Sequence, residues 1–455
     1  MLPEIALFNS LTKEVESFKP IQANQVGMYH CGPTVYDDVH IGNLRAFLLA
    51  DITRRVFEFS GYHVTQVMNI TDVGHLAGDG DHGDDKMTKA LIRDGKDVTV
   101  PNMLELARRY EERFVSDLTS MNILLPHHMP RASEHIEEDI QIISQLEECG
   151  LVYETDDSVY FDTTKYPEYG ALGLSPLQES ESRTGIASGK KSPRDFALWK
   201  KDEKMGWPSP WGQGFPGWHI ECSGMSMKYL GDHFDIHTGG IDLLPTHHNN
   251  EIAQSTCSTG KPFVNVWLHN EHVNFGNEKM SKSLGNVATL ASLRDAGYDP
   301  LDYRYWLLQG SYRSKVSFGL EGLQAARTAR LRLSEKAQAK PNSPNEGYLE
   351  RFSAAIRNDL GTAEGLSIAW EAAKSDLSEG VRSATLRSMD EVLGLSLGEQ
   401  STAEIPDHIL ALAKERDTAR SAEDWTRADQ ARDAIISAGF EVRDTSAGTE
   451  VVSRN

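Results

Sequence analysis

Cysteine is scarce in this chain: four in 455 residues, at positions 31, 149, 222 and 257. That is too few for a disulfide scaffold at this length and points to a reducing compartment, the cytoplasm. Long apolar runs are missing too, so no segment is a candidate for crossing a bilayer. The opening residues, MLPEIALFNSLTKEVESFKP, lack the basic, apolar and small-residue order of a secretory signal. Positive charge is outnumbered, with 46 Lys and Arg against 67 Asp and Glu for a net charge of −21. Taken alone, this disfavours a nucleic-acid partner, because phosphate binding runs on Lys and Arg displacing counterions. The balance is uneven, however. Between 300 and 340, Arg304, Arg313, Lys315, Arg327, Arg330, Arg332, Lys336 and Lys340 outnumber Asp302, Glu321 and Glu335. A solvated helical face is the plainer account of that stretch.

What is present is an ordinary globular composition, 39% hydrophobic and 8% aromatic, long enough for two to four domains. Residues 25–70 read as a β-α-β unit. VGMYHC is extended, Leu44, Leu48, Ile52 and Val56 recur at helical spacing before Gly61, and HVTQVMN alternates like a strand. Helical stretches follow at 102–120 and 133–149, and LVYETDDSVYF at 151–161 reads as a hairpin. The sheet resumes with HFDIHTGG and FVNVWLHN, separated by a helix near 247–258 that stops at Gly260. The expected fold is α/β, a Rossmann-type parallel sheet split by an insertion, then an α-helical bundle and a small C-terminal α/β module. The expected divisions are 1–124 and 206–285 for the two halves of the sheet domain, 125–205 for the insertion, 286–345, a helical bundle at 346–405 and a tail at 406–455.

Two motifs carry phosphate chemistry. HIGN (His40–Asn43) opens a helix directly after a strand, where amide groups and the macrodipole favour phosphate and Gly42 admits a close approach. An imidazole there suits a phosphoryl oxygen gaining charge, although a surface histidine explains four residues equally well. EKMSKSLGN (278–286) is more specific: two lysines in a Gly-ended loop suit a leaving pyrophosphate, lysine being a mobile point charge. HIGN followed by KMSKS, on a split Rossmann fold, resembles the class I aminoacyl-tRNA synthetases.

A third constellation involves Cys31, Cys222, His247 and Glu251. His247 and Glu251 stand at i, i+4 and share a helix face, Cys31 ends a strand of the first half, and Cys222 belongs to the second. Thiolate, imidazole and carboxylate form a zinc-type set, so one Zn2+ would join both halves beside the nucleotide crevice; a buried apolar role is the alternative for either cysteine. Together with CGPTVYDDVHIGN, NITDVG, DFALWK, PGWHIECS, HHNNEIAQS and DWTRADQARDAIISAGFEVRDTSAGT, these residues resemble the cysteinyl-tRNA synthetase family almost end to end.

The resemblance implies a zinc held by Cys31, Cys222, His247 and Glu251, with the substrate thiolate as an added ligand. It implies that Trp218 covers the bound side chain, that Thr71 and Asp242 hold its polar ends, and that His237 lies near the adenylate. It further implies attack of the L-cysteine carboxylate on Mg2+-ATP, with His40, Gly42 and Asn43 on the phosphates and Lys279, Ser281 and Lys282 on the leaving pyrophosphate. The acyl group then passes to the 2′-hydroxyl at the 3′ end of tRNA-Cys. Region 286–345 matches the stem-contact position, with Arg313 a candidate tRNA contact, 346–405 resembles the DALR bundle, and Trp425, Arg427 and Arg432 lie in the anticodon-reading tail. A cytoplasmic monomer without membrane attachment is expected. NITDVGHLAGDGDHGDDKM is longer than the family's usual segment, and PTHHNNE carries Asn249 where Glu is usual; neither moves a ligand. The nearest rivals are the ligase joining cysteine to a glucosamine–inositol, which lacks a complete tail module, and a non-catalytic relative.

Overall fold

A computed structural model describes residues 2–73, 86–174, 189–275, 289–399, 407–437, 440–445 and 448–453. The central sheet has four parallel strands in the order β10-β9-β3-β4. β3 (Gln25–His30) leads through α1 (Ile41–Phe59) to β4 (His63–Met68). β9 (Phe234–Gly240) leads through α6 (Asn249–Thr259) to β10 (Val264–Asn270). One unit winds outward from β3 and the other outward from β9, so the strand order reverses between these two neighbours. A crevice at the carboxyl ends of strands flanking such a reversal is where open α/β sheets bind ligands.

Sequence pattern explains the local elements. Leu44, Leu48, Ile52 and Val56 are all buried, as their spacing requires of the helix face turned to the sheet. The helices end where glycine takes the chain into positive φ, at Gly61 (φ 90°) and Gly260 (φ 67°). Gly32 answers to a different constraint. A Cβ there would run into the carbonyl oxygen of Asn69, whose side chain also accepts from the Gly32 amide at 2.7 Å.

The expected hairpin is β5 (Val152–Glu154) with β6 (Ser158–Phe161), continued antiparallel by β7 (Phe196–Lys201) and β8 (Gly214–Pro216). This second sheet runs past residue 205, the limit expected for the insertion. The helix preceding it, α4 (Ile136–Glu148), shares a core with Ile220 of α5 (Trp218–Leu230) and Ala253 of α6. The insertion is thereby packed onto the half-fold that follows it. An N-terminal hairpin, β1 (Ala6–Asn9) and β2 (Glu14–Ser17), was not legible in the sequence. It is pinned to β10 by Asn9, which donates to Asn265 O (2.9 Å) and accepts from the Trp267 amide (3.1 Å).

Remaining helices of the first half are α2 (Lys86–Arg93) and α3 (Val100–Ser120), the latter capped by Thr99. After β11 (Val273–Asn274) come α7 (Leu290–Asp295), α8 (Pro300–Leu308), β12 (Val316–Ser317) and α9 (Leu320–Lys336). α10 (Glu346–Arg357), α11 (Thr362–Lys374) and α12 (Glu379–Leu393) form the bundle. The tail contains α13 (Asp407–Ser421), α14 (Trp425–Ser437) and the hairpin β13 (Phe440–Thr445) with β14 (Gly448–Ser453). The run of basic residues at 300–340 is not one surface. Arg304 is completely buried against Asp51 (2.6 Å), and Arg330 is bonded to Asp302 at 2.8 Å.

Candidate metal and nucleotide site

Cys31 leaves the end of β3, Cys222 lies in α5, and His247 occupies a π-helical turn, Leu244–His248, that runs into α6 with Glu251. One ligand atom from each of the four falls within 4.8 Å of all the others. All four side chains are buried. The wide π turn sets His247 against Glu251, Nε2 to Oε1 at 3.0 Å.

Electrostatics in the cluster are strongly coupled. Burial opposes charge on Glu251, yet His237 and His247 outweigh it and draw the carboxyl down to about 2. Burial likewise opposes charge on His247, and Cys222 with Glu251 overcomes it, pushing the imidazole up to about 10. A hydrogen bond from Cys31 lowers Cys222 to about 7, while burial raises Cys31. Two sulfurs, a nitrogen and an acid brought together in a dry interior are the donor chemistry of a borderline-soft divalent cation.

A second group sharing Cys31 and Glu251 adds His237 and His248, again within 4.8 Å. Four supporting histidines surround the quartet. His219 Nδ1 meets His247 Nδ1 at 2.8 Å, and His237 Nε2 holds the other Glu251 oxygen at 2.9 Å. His248 Nε2 is 3.4 Å from Cys31 Sγ, and its Nδ1 meets His269 Nε2 at 2.7 Å. Sequence reading passed over His219, His248 and His269. Their signals were adjacency to the ligand motifs (WHIEC, THHNNE) and the end of a core strand (WLHN).

Cys31 also lines a cavity of about 510 Å³, shared with His40, Gly42, Asn43, Trp218 and Asp242. His40 is the N-cap of α1, and its Nδ1 accepts from the Gly42 amide at 3.0 Å. That bond leaves Nε2 to carry the proton, and burial holds the ring's pKa below its ordinary value. A Cβ on Gly42 would press on His40 Nδ1 at 3.1 Å and on Phe275 at 3.3 Å. Any larger residue would have to displace one of these two rings.

Two further residues named by the resemblance have partners in the interior. His237, read as an adenylate neighbour, is buried in the histidine cluster, stacked on Trp267 at 4.6 Å and bonded to Glu251. Thr71, read as a substrate contact, is buried with its hydroxyl donating to Glu221 at 3.2 Å. Neither is among the residues lining the cavity. Both were named through the family resemblance alone. Trp218 does face the cavity and packs on His247, ring centroids 4.6 Å apart. Lys279, Ser281 and Lys282 lie outside the described residues, as does most of the long 73–86 segment.

Of the candidate tRNA contacts, Arg313 is bonded to Asp359 (2.8 Å) and rests over the Phe8 ring. Arg427 pairs with Glu415 at 2.8 Å, Arg432 is exposed, and Trp425 is 61% exposed at the start of α14.

The family model for the catalytic domain of class I (C) tRNA synthetases matches residues 17–328. Cysteine--tRNA ligase 1 of Burkholderia lata is 44% identical, the match covering 98% of this chain and 96% of that protein. The cysteine--tRNA ligases of Caldicellulosiruptor saccharolyticus and Treponema denticola are 40% and 38% identical, each covering 98% of this chain and 99% of its own. Among solved structures, Mycobacterium tuberculosis methionyl-tRNA synthetase in complex with methionyl-adenylate shares the fold, with a TM-score of 0.53 and 16% identity over 82% of this chain and 90% of that one. A catalytic-domain match over most of the chain, with relatives aligned along nearly all of it, establishes that the chain belongs to the cysteine–tRNA ligase family of class I aminoacyl-tRNA synthetases.

Proposed function

We propose that the chain activates L-cysteine with ATP to cysteinyl adenylate and passes the cysteinyl group to the 3′ end of tRNA-Cys. Cys31, Cys222, His247 and Glu251 would hold a Zn2+ and His40, Gly42 and Asn43 would receive the nucleotide. The observation that carries this reading is that Cys31 belongs both to the buried quartet and to the wall of the cavity lined by His40, Gly42 and Asn43. When bound, the metal supplies a soft acid that bonds a thiolate and rejects an alcohol, a discrimination between cysteine and serine that pocket shape alone does not provide.

The chain's own groups do the rest. Trp218, braced on His247, closes over the substrate side chain, and the Asp242 carboxylate on the cavity wall suits the substrate ammonium. The His40 Nε2–H donates to a phosphoryl oxygen as charge builds there, aided by the amide end of α1. Lys279, Ser281 and Lys282 attend the pyrophosphate of ATP, which arrives with Mg2+. Thr71 and His237 act from behind the site, on Glu221 and Glu251. The quartet with Cys222 is favoured over the group with His237 and His248 because it offers two sulfurs and adjoins the cavity through Trp218.

In the tail, the exposed Trp425 ring suits stacking on an unpaired base, with Arg432 further along α14 and Arg427 in a surface ion pair with Glu415. Arg313 would trade Asp359 for a tRNA phosphate. The test is metal analysis combined with cysteine-dependent ATP–pyrophosphate exchange, with serine as control, followed by transfer to tRNA-Cys. Exchange without bound zinc, or equal exchange with serine, would overturn the reading; transfer to an amino sugar in place of tRNA would redirect it to the rival ligase.

A further inference from the structure

Arg45 lies on α1 two residues after Asn43 and is buried. Its guanidinium donates to four backbone carbonyls. Nη1 reaches Glu271 O (2.7 Å) and His272 O (3.0 Å), and Nη2 reaches Ser311 O (2.9 Å) and Ser314 O (2.7 Å). Glu271–His272 is the joint between β10 and β11, and Ser311–Ser314 belongs to the turn between α8 and β12. A planar fork serves two such segments at once, where an ammonium would act as a single point.

The two segments need an external tie. β11 and β12 are two residues each, pairing Val273 with Val316 and Asn274 with Ser317. So short a ladder has little stability of its own. It is extended by bonds from the Glu271 amide to Tyr312 O (2.9 Å) and from the Phe318 amide to Asn274 O (2.8 Å). Immediately after β11 comes Phe275, whose ring meets His40 edge-on with centroids 4.6 Å apart and which lines the same cavity. Phe275 leads directly into EKMSKSLGN at 278–286. Arg45 therefore fastens the helix that begins at His40 to the strand that feeds the second signature motif.

We infer that Arg45 is a positioning residue for ATP: its guanidinium fixes the strand that ends at Phe275, and with it the ring packed on His40, against the start of α1, so that His40 keeps one geometry toward the triphosphate. This rests on the reading that His40 and Lys282 act on ATP. The two ideas fail separately.

The experiment is cysteine-dependent pyrophosphate exchange with the full-length, zinc-loaded protein, comparing the parent with Arg45→Lys, Arg45→Ala and Lys282→Ala. KM for ATP, KM for cysteine, kcat, zinc content and melting temperature are measured for each. The expected result for Arg45→Lys is a tenfold or greater loss in kcat/KM for ATP, with KM for cysteine within twofold and zinc retained. Millimolar guanidinium ion should restore part of the rate to Arg45→Ala and none to Lys282→Ala. Parental ATP kinetics in Arg45→Lys would overturn the inference. So would parallel rises in both KM values with loss of zinc, the mark of a general packing role. If Arg45→Ala does not fold, Arg45→Lys decides alone. Unchanged exchange in Lys282→Ala would instead overturn the underlying reading of the 276–288 segment.

Discussion

Nδ1 of His219 lies 2.8 Å from Nδ1 of His247. One proton serves both nitrogens, so the pair fixes which side of the His247 ring is spent, and Nε2 is the atom turned to Glu251, 3.0 Å away. An imidazole that orients a ligating imidazole changes metal affinity by about 10–100-fold when removed. His219→Ala should accordingly give up zinc to a chelator at least about tenfold more readily. Zinc retention equal to the parent's would show that His219 is a packing residue only.

Cys222 tests the quartet more severely. It is 1% exposed, and a hydroxyl is a poor substitute for a thiolate toward a soft cation. Cys222→Ser should lose bound zinc together with cysteine activation. A zinc-free variant with full activity would remove the metal from the mechanism.

Asp51 and Arg304 form an ion pair with both side chains fully buried. Arg304 also donates to Leu393 O (2.6 Å), Met121 O (3.1 Å) and Asn122 O (3.0 Å), and Asp51 accepts from Arg55 and from the Leu124 amide. Asp51→Ala strands two guanidinium groups in the interior and should cost about 3–5 kcal/mol. Chemical denaturation measures it; a loss near that of a surface substitution would mean that the arginines find other acceptors.

That pair also marks the limit of what sequence conveys. The β-α-β halves were legible because apolar residues repeat at helical and strand periods and glycines stop the helices. The convergence of Cys31, Cys222, His247 and Glu251 was legible because His247 and Glu251 are four apart and the rare cysteines fall in strongly patterned motifs. Arg304 was counted with a surface patch because its partner is 253 residues away, and no local pattern distinguishes a buried arginine from a solvated one. The β1–β2 hairpin escaped for a related reason: Asn9 ties it to β10, and those partners lie far away in the sequence. His237 and Thr71 were named through the family resemblance alone, and no period or spacing in the sequence conveys their contacts with Glu251 and Glu221.

His269 offers a pH test outside the quartet. Burial, reinforced by His237, lowers its pKa to about 3, and its two nitrogens are engaged by His248 and Ser10. The folded state thus declines a proton that the unfolded chain takes below its ordinary value of 6.5. Stability is fully present above that pH and is lost as pH falls toward 3. One such group contributes a slope of about 1.4 kcal/mol per pH unit inside the window. His269→Gln should flatten the parent's decline between pH 6 and 4 by about that amount. An unaltered slope in urea titrations would show that His269 is protonated in the fold.

The tail supports a prediction about separability. Ile409, Ala413, Ile435 and Val451 make a cluster of their own, distinct from the large core that contains α1 and the bundle helices. Among the described residues of the tail, none lines the cavity and none belongs to the Cys31–Cys222–His247–Glu251 group. Removing residues 406–455 should therefore leave cysteine-dependent pyrophosphate exchange close to that of the full chain, because adenylate formation uses only groups N-terminal to the bundle. Charging of tRNA-Cys should weaken, chiefly through a higher KM for tRNA, since Trp425, Arg427 and Arg432 leave with the module. A single Trp425→Ala should reproduce part of that rise, base–aromatic stacking being worth about 1–3 kcal/mol. Loss of exchange on truncation would mean that the tail supports the catalytic half, and undiminished charging would remove it from tRNA recognition.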